Sequence, residues 1–354
     1  MEKHYNIHNF LSIKISSDSA DILNGYDHYI RHFFSPEERD SEYEVADFKK
    51  LSAQNLVSRV GEFVKIKNGI CFPEKKYAIS FDYNKVCEYT EYANQATNLL
   101  IQTILLKKGL SFVHSAGIEI GGKGIIFPAL GGVGKTILMS ALRGKEDFKF
   151  FGDDYVIVSA LGEMYSYPSD FSIYPYHIPL FPELKKLAGG AYLRKRTLFG
   201  LFYKTKQAIN FLAKKAFGLG HPLLKGWSAS YAKVPVRELI SDEKIGKKTN
   251  LAASIFLERY SGEEMIIDSM SIDVLVNKII GILNLEFGEG MYYCSALAAF
   301  GEFNLVEFQL KQKEILFEAF SRLKLYRVRI PISMTPQEYC GRMEEQLRYV
   351  IKES

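Results

Sequence analysis

The chain has 354 residues, 47% of them hydrophobic and 24% charged, with 45 Lys and Arg against 41 Asp and Glu. That length allows one large domain or two, and the net charge of +4 is too mild to argue for nucleic acid across the whole chain. Cys71, Cys87, Cys294 and Cys340 form no C-x-x-C pair, so neither a zinc site nor a disulfide framework is expected, and free thiols suit a reducing cytoplasm.

The first ten residues, MEKHYNIHNF, lack the apolar core of a signal peptide. No stretch reaches the roughly 18 uncharged apolar residues of a membrane span. A cytoplasmic protein is the expectation, with peripheral membrane contact left open.

Residues 1 to 90 read as short strands and turns, a small β-rich α+β region. Val64 to Ile70 and Tyr77 to Tyr83 are β-type runs, punctuated by Asn68-Gly69. From Thr90 a helix is predicted, with Ala93, Ala96, Leu100 and Ile104 at helical spacing and Gly109 as its stop. Two strands follow, Ser111 to Ile120 and Gly124 to Pro128, turning at Gly121-Gly122. A glycine-rich loop then opens a helix running to Leu142, with Gly144 as its stop, and Phe148 to Ser159 reads as one further strand.

Later elements are a buried strand over Ala252 to Glu258, helices over Asp273 to Leu285 and Lys311 to Leu323, and a strand over Leu325 to Ile330. The final helix has Thr335 as N-cap, Pro336 at its first position and Glu338 completing a capping box. The fold class is α/β of a mixed α+β kind. Residues 91–334 form one domain, interrupted by an insert at about 184–237, and 335–354 form a terminal helix.

The loop reads Ala129-Leu130-Gly131-Gly132-Val133-Gly134-Lys135-Thr136, against the phosphate-loop pattern G-x-x-x-x-G-K-[ST]. Such glycines let successive amides point inward without side chains blocking phosphate oxygens, and the following helix adds its positive end. Lys135 supplies a point charge for the β- and γ-phosphates, and the Thr136 hydroxyl is a Mg²⁺ ligand. Ala129 stands where the pattern has its first glycine, which is tolerable if its φ is negative.

Asp153 and Asp154 close the apolar run Phe148 to Gly152. If the backbone turns there, both face the loop, one toward Mg²⁺ and the other toward an attacking hydroxyl. The plainer reading is an Asx-turn closing the strand. His114, in the strand before the loop, reads locally as a hydrogen-bonded core histidine.

Together these features resemble the HPr kinase/phosphorylase group of the phosphoenolpyruvate-carboxykinase-like superfamily. The resemblance is carried by Phe112-Val113-His114-Ser115-Ala116-Gly117-Ile118, Gly124-Ile125-Ile126-Phe127, the loop, and Gly152-Asp153-Asp154. It covers roughly residues 111 to 168, more faintly 233 to 260. It implies a P-loop kinase core, with ATP held by Lys135 and the backbone of Leu130, Gly131, Gly132, Val133 and Gly134. It implies Mg²⁺ held by Thr136 and Asp154, Asp153 as general base, and His114 beside the transferred phosphate. The family's loop serine is Gly131 here, and the glutamate-arginine-glycine segment of true HPr kinases has no clear copy. A different hydroxyl-bearing acceptor is therefore implied, be it small molecule, peptide or lipid-linked.

From Leu184 to Arg237 there is no Asp or Glu, while Lys and Arg alternate with Phe199, Phe202, Phe211 and Phe217. The readings are a solvated subdomain or lid, a clamp for an anionic acceptor, and a basic amphipathic helix for an anionic or membrane surface. Tyr165 to Pro182, rich in tyrosine and proline, reads as an active-site loop or a turn cluster. An ATP-dependent kinase is the function expected, with a nucleotide-responsive binding module as the alternative. A homo-oligomer is compatible with either.

Overall fold

The structure is a computed structural model, and it describes residues 1–51, 56–82, 85–93, 96–174, 177, 180–181, 183 and 232–353. The chain divides into two units, Met1–Ser169 with Glu243–Ser354, and Asp170–Asp242. The architecture is mixed α+β.

Alternation of apolar and polar residues builds the first sheet. In β2 (Leu11–Ser16) the apolar Leu11, Ile13 and Ile15 point inward and their neighbours outward. Around β2 lie β1 (Glu2–Ile7), β3 (Phe34–Ser35), β4 (Tyr43–Asp47), β5 (Leu56–Val60), β6 (Phe63–Ile66), β7 (Gly69–Phe72), β8 (Tyr77–Asp82) and β9 (Lys85–Thr90). The order is β3-β1-β2-β4-β9-β8-β7-β6-β5. The hairpin between β6 and β7 turns at Asn68, whose φ of 56° is of the kind asparagine tolerates. Helix α1 (Ala20–Ile30) supplies Ile22, Leu23, Tyr26 and Ile30 to the core.

The second sheet holds the site. Its strands are β10 (Leu110–Ile120), β11 (Lys123–Pro128), β12 (Phe148–Gly152), β13 (Tyr155–Ser159), β14 (Glu163–Tyr167), β17 (Lys248–Tyr260), β18 (Ile266–Ser269) and β19 (Lys324–Pro331). Two long strands each change partner along their length. Leu110 to His114 of β10 pair with β13, and Ser115 to Ile120 pair with β11. Strand β17 pairs with β14 through Lys248 to Asn250, then runs parallel to β11 and to β19. The β11–β17 pairing closes β11, β10, β13, β14 and β17 into a ring. His114 is the last β10 residue paired with β13, where the strand changes partner.

Helix α2 (Thr97–Lys107) is buried on almost every side: Leu99, Leu100, Ile101, Ile104, Leu105 and Leu106 are apolar, and the buried Gln102 and Thr103 between them are hydrogen-bonded. The remaining helices are α3 (Lys135–Leu142), α4 (Ile272–Glu286), α5 (Glu289–Ala299), α6 (Leu305–Phe320) and α7 (Pro336–Glu353). One core cluster runs from Tyr5 in β1 to Phe320 in α6. The capping box forms: the Thr335 amide donates to Glu338 Oε2 at 3.0 Å and the Glu338 amide to Thr335 Oγ1 at 3.3 Å. In the second unit β15 (Phe171–Ile173) pairs with β16 (Ala232–Val234) over buried Phe171, Phe181 and Val236.

Several predicted bounds shift. The helix predicted from Thr90 starts at Thr97: Thr90 ends β9, and its hydroxyl accepts from the Tyr92 amide at 3.0 Å in the turn that follows. The helix predicted from Lys311 starts at Leu305, more than one turn earlier, where the Asn304 side chain accepts from the Glu307 amide. Helix α5 has no counterpart in the sequence reading. Of the basic insert, 184–231 lies outside the described residues. Among the described residues no helix is long and apolar enough to cross a membrane.

Candidate active site

The strand expected over Phe148 to Ser159 is two strands, broken at Asp153 and Asp154. The break follows from β10. Its register with β12 shifts between Gly117 and Ile118, and the Ser115 amide donates to the Asp154 carbonyl at 3.1 Å instead of continuing a regular ladder. Gly152 is required at this turn, since a Cβ would lie 2.1 Å from the Tyr155 carbonyl oxygen. The break puts the acidic pair beside the partner-change point of β10, within electrostatic range of Lys135.

The loop joins β11 to α3. Gly132 (φ 79°) and Gly134 (φ 126°) adopt backbone angles that side chains disfavour. Ala129 is not among the positive-φ residues, so alanine replaces the pattern's first glycine without strain. Gly131 and Gly132 face open space, with nothing within 4 Å of where a Cβ would sit. Among the described residues, the amides of Gly131, Gly132 and Gly134 donate no hydrogen bond. These are the open surface and spare donors that an anion needs.

Lys135 is 6% exposed and donates to the carbonyls of Ala129 at 3.0 Å and Leu130 at 3.3 Å. Burial pushes its pKa down, opposed by Asp153, Asp154 and Glu286. The Thr136 hydroxyl donates to Asp153 Oδ2 at 2.6 Å. The side-chain contact of Thr136 is thus with the first acid of the pair, whereas the sequence reading grouped Thr136 with Asp154.

His114 is buried, and its Nδ1 lies 2.8 Å from the Ala129 carbonyl. A carbonyl only accepts, so Nδ1 carries the proton and Nε2 is left as an acceptor. Burial, then the Lys135 charge, pushes its pKa down to about 3. The imidazole is therefore neutral, and its Nε2 faces Glu286 Oε1 at 3.6 Å.

Glu286, at the end of α4, is the residue the sequence did not offer. It lies one position beyond the predicted helix and belongs to no motif. Burial and the nearby Asp154 raise its pKa, against the pull of Lys135. It joins His114, Lys135, Asp153 and Asp154 in one cluster drawn from four elements. Arg259 of β17 also reaches the loop, donating from Nε to the Val133 carbonyl at 3.1 Å. Leu130 and Val133 thus take part through backbone carbonyls; the Leu130 side chain is exposed.

Tyr174 and His177 lie in the second unit. His177 is buried there, and burial pushes its pKa down to about 4. Compared with family models and with curated proteins, the chain matches none.

Proposed function

We propose that this protein is an ATP-dependent kinase built on an HPr-kinase-like P-loop core, transferring the γ-phosphate to a hydroxyl of an acceptor. The observation that carries the reading is the Thr136–Asp153 hydrogen bond at the foot of a glycine loop whose lysine is held by loop carbonyls. A merely structural strand-to-helix turn has no need of a buried ammonium, which costs several kcal/mol to desolvate. A triphosphate would take over the ammonium's hydrogen bonds and its charge.

The donors on the metal side fit a hard divalent cation: the Thr136 hydroxyl and the Asp153 carboxylate, with no sulfur or imidazole among them. Mg²⁺, when bound, neutralises triphosphate charge. Asp153, already on Thr136, would stand on the metal side, and Asp154 on the acceptor side to take the hydroxyl proton. That assignment exchanges the roles the family resemblance implies. His114 would stay neutral and keep Ala129 in place through Nδ1–H, with Nε2 open to a proton from Glu286 or the acceptor. Most of the rate enhancement would come from positioning and charge neutralisation.

The test is label transfer. γ-Labelled ATP, Mg²⁺ and the protein are incubated with cell lysate separated into protein, small-molecule and lipid fractions. Label entering one fraction with wild type and not with Asp154→Asn identifies the acceptor class. Label appearing nowhere, in the presence of measurable MgATP binding, would replace the kinase by a nucleotide-bound regulatory module.

A further inference from the structure

Arg259 sits near the end of β17, paired with Ile330 of β19. Its guanidinium forks between two backbone carbonyls: Nε donates to Val133 at 3.1 Å and Nη1 to Pro331 at 2.9 Å. Nη2 lies 3.7 Å from where a Gly134 Cβ would stand. The guanidinium carbon is 5.9 Å from the ring centroid of Tyr339 in α7. Tyr339 is fully buried, and its ring edge lies 3.1 Å from the same Gly134 position. Among the described residues no carboxylate pairs with Arg259.

A cation bound only to carbonyls, without a counter-charge, is an uncommon choice for a part-buried position. Its geometry gives it a use. In a trans peptide the C=O of one residue and the N–H of the next point in opposite directions. The Val133 carbonyl is held toward Arg259, so the Gly134 N–H points away from Arg259, to a side where it meets no acceptor among the described residues. Tyr339 packs against the same Cβ position of Gly134 as the guanidinium, and Pro331 fixes the guanidinium to the sheet. Lys135 holds the Leu130 carbonyl, and so the peptide that carries the Gly131 amide, in the same manner at 3.3 Å, whereas the surroundings of Gly132 are open.

We propose that Arg259 is a positioning residue of the phosphate loop: by holding the Val133 carbonyl it aims the Gly134 amide at bound phosphate, and its unpaired charge strengthens the loop's field for a polyphosphate. Tyr339 and the C-terminal helix serve as its backing. The proposal rests on the phosphate-binding reading of the loop.

Titration calorimetry with inorganic tripolyphosphate and with MgATP tests it, because it reads affinity and the fraction of competent sites separately. Arg259→Met is expected to weaken both ligands tenfold or more with the stoichiometry unchanged. Arg259→Lys, which keeps the charge and can reach one carbonyl, should recover part of the loss.

Unchanged affinity in Arg259→Met, or a fall in stoichiometry alone, overturns the proposal and leaves the phosphate-loop reading standing. Wild type that binds neither ligand overturns both. If Arg259→Met does not fold, Arg259→Lys decides: a wild-type dissociation constant for tripolyphosphate overturns the proposal, and a several-fold weaker one at full stoichiometry supports it.

Discussion

Replacing Lys135 by methionine separates a binding site from a structural turn, because the two readings predict opposite balances of stability and affinity. The ammonium makes two charge-assisted hydrogen bonds, at 3.0 and 3.3 Å, each worth about 1.5–3 kcal/mol. Against them stands the desolvation of a charge at 6% exposure, which costs several kcal/mol. The downward pKa shift shows that desolvation outweighs the pull of the neighbouring acids. After substitution the Ala129 carbonyl still accepts from His114, and methionine refills most of the stem's volume. Folding stability without nucleotide should therefore change by no more than about 2 kcal/mol in either direction. MgATP should lose two charge-assisted bonds, about 3 kcal/mol or more, which is a hundredfold or greater loss of affinity. Urea denaturation without nucleotide gives the first quantity and calorimetric titration the second. A stability loss above about 4 kcal/mol with affinity retained would refute the reasoning, for Lys135 would then be part of the scaffold.

Asp153→Asn should raise the Mg²⁺ concentration needed for half-maximal ATP binding, while Asp154→Asn should lower turnover with that requirement kept; a Mg²⁺ titration of each variant distinguishes them. For His114 the folded pKa of about 3 lies below the ordinary 6.5. Its neutral form's contribution is thus fully present above pH 6.5 and is lost as pH falls toward 3. Between pH 7 and pH 5 the wild type should lose about 2 kcal/mol more stability than His114→Gln, and equal losses in urea melts would show that burial does not hold the proton off. In the first sheet, a Gly69 Cβ would lie 2.0 Å from the Ile79 carbonyl oxygen. Gly69→Ala should therefore cost about 3 kcal/mol, whereas Gly131→Ala, with open space around it, should leave the melting temperature unchanged.

The strand–loop–helix unit was legible because each signal in it is local. Gly121 and Gly122 turn the hairpin with φ of 58° and 75°, Pro128 ends β11, and the glycine loop opens α3. The capping box at Thr335 was legible for the same reason. The start of α2 was not, because Thr90 pairs with β4 and β8 as the end of β9 and its hydroxyl then accepts from the Tyr92 amide in a turn, contacts the local spacing does not reveal. The break at Asp153 was hidden in an apolar run. It is set by a register shift in β10, a partner 35 residues away in sequence when Ile118 is counted against Asp153. Local periodicity carries no information about such a partner.

The site divides along the same line. His114, Lys135, Thr136 and the acidic pair announce themselves by spacing, because the glycine loop and the acidic pair lie within one strand–helix–strand passage. Glu286 and Arg259 come from α4 and β17, more than 120 residues beyond the loop, and neither has a local pattern. Both answer needs that the motif itself creates. A loop whose φ angles are held open by glycine has little stiffness of its own, so something must fix its peptide planes, and Arg259 does so at Val133. A neutral histidine with its Nδ1 committed to Ala129 presents a bare Nε2, and Glu286 is the group that faces it. On the phosphate-binding proposal the glycines and Lys135 would specify the kind of ligand, while the distant arginine holds the Val133 carbonyl and the distant glutamate faces His114.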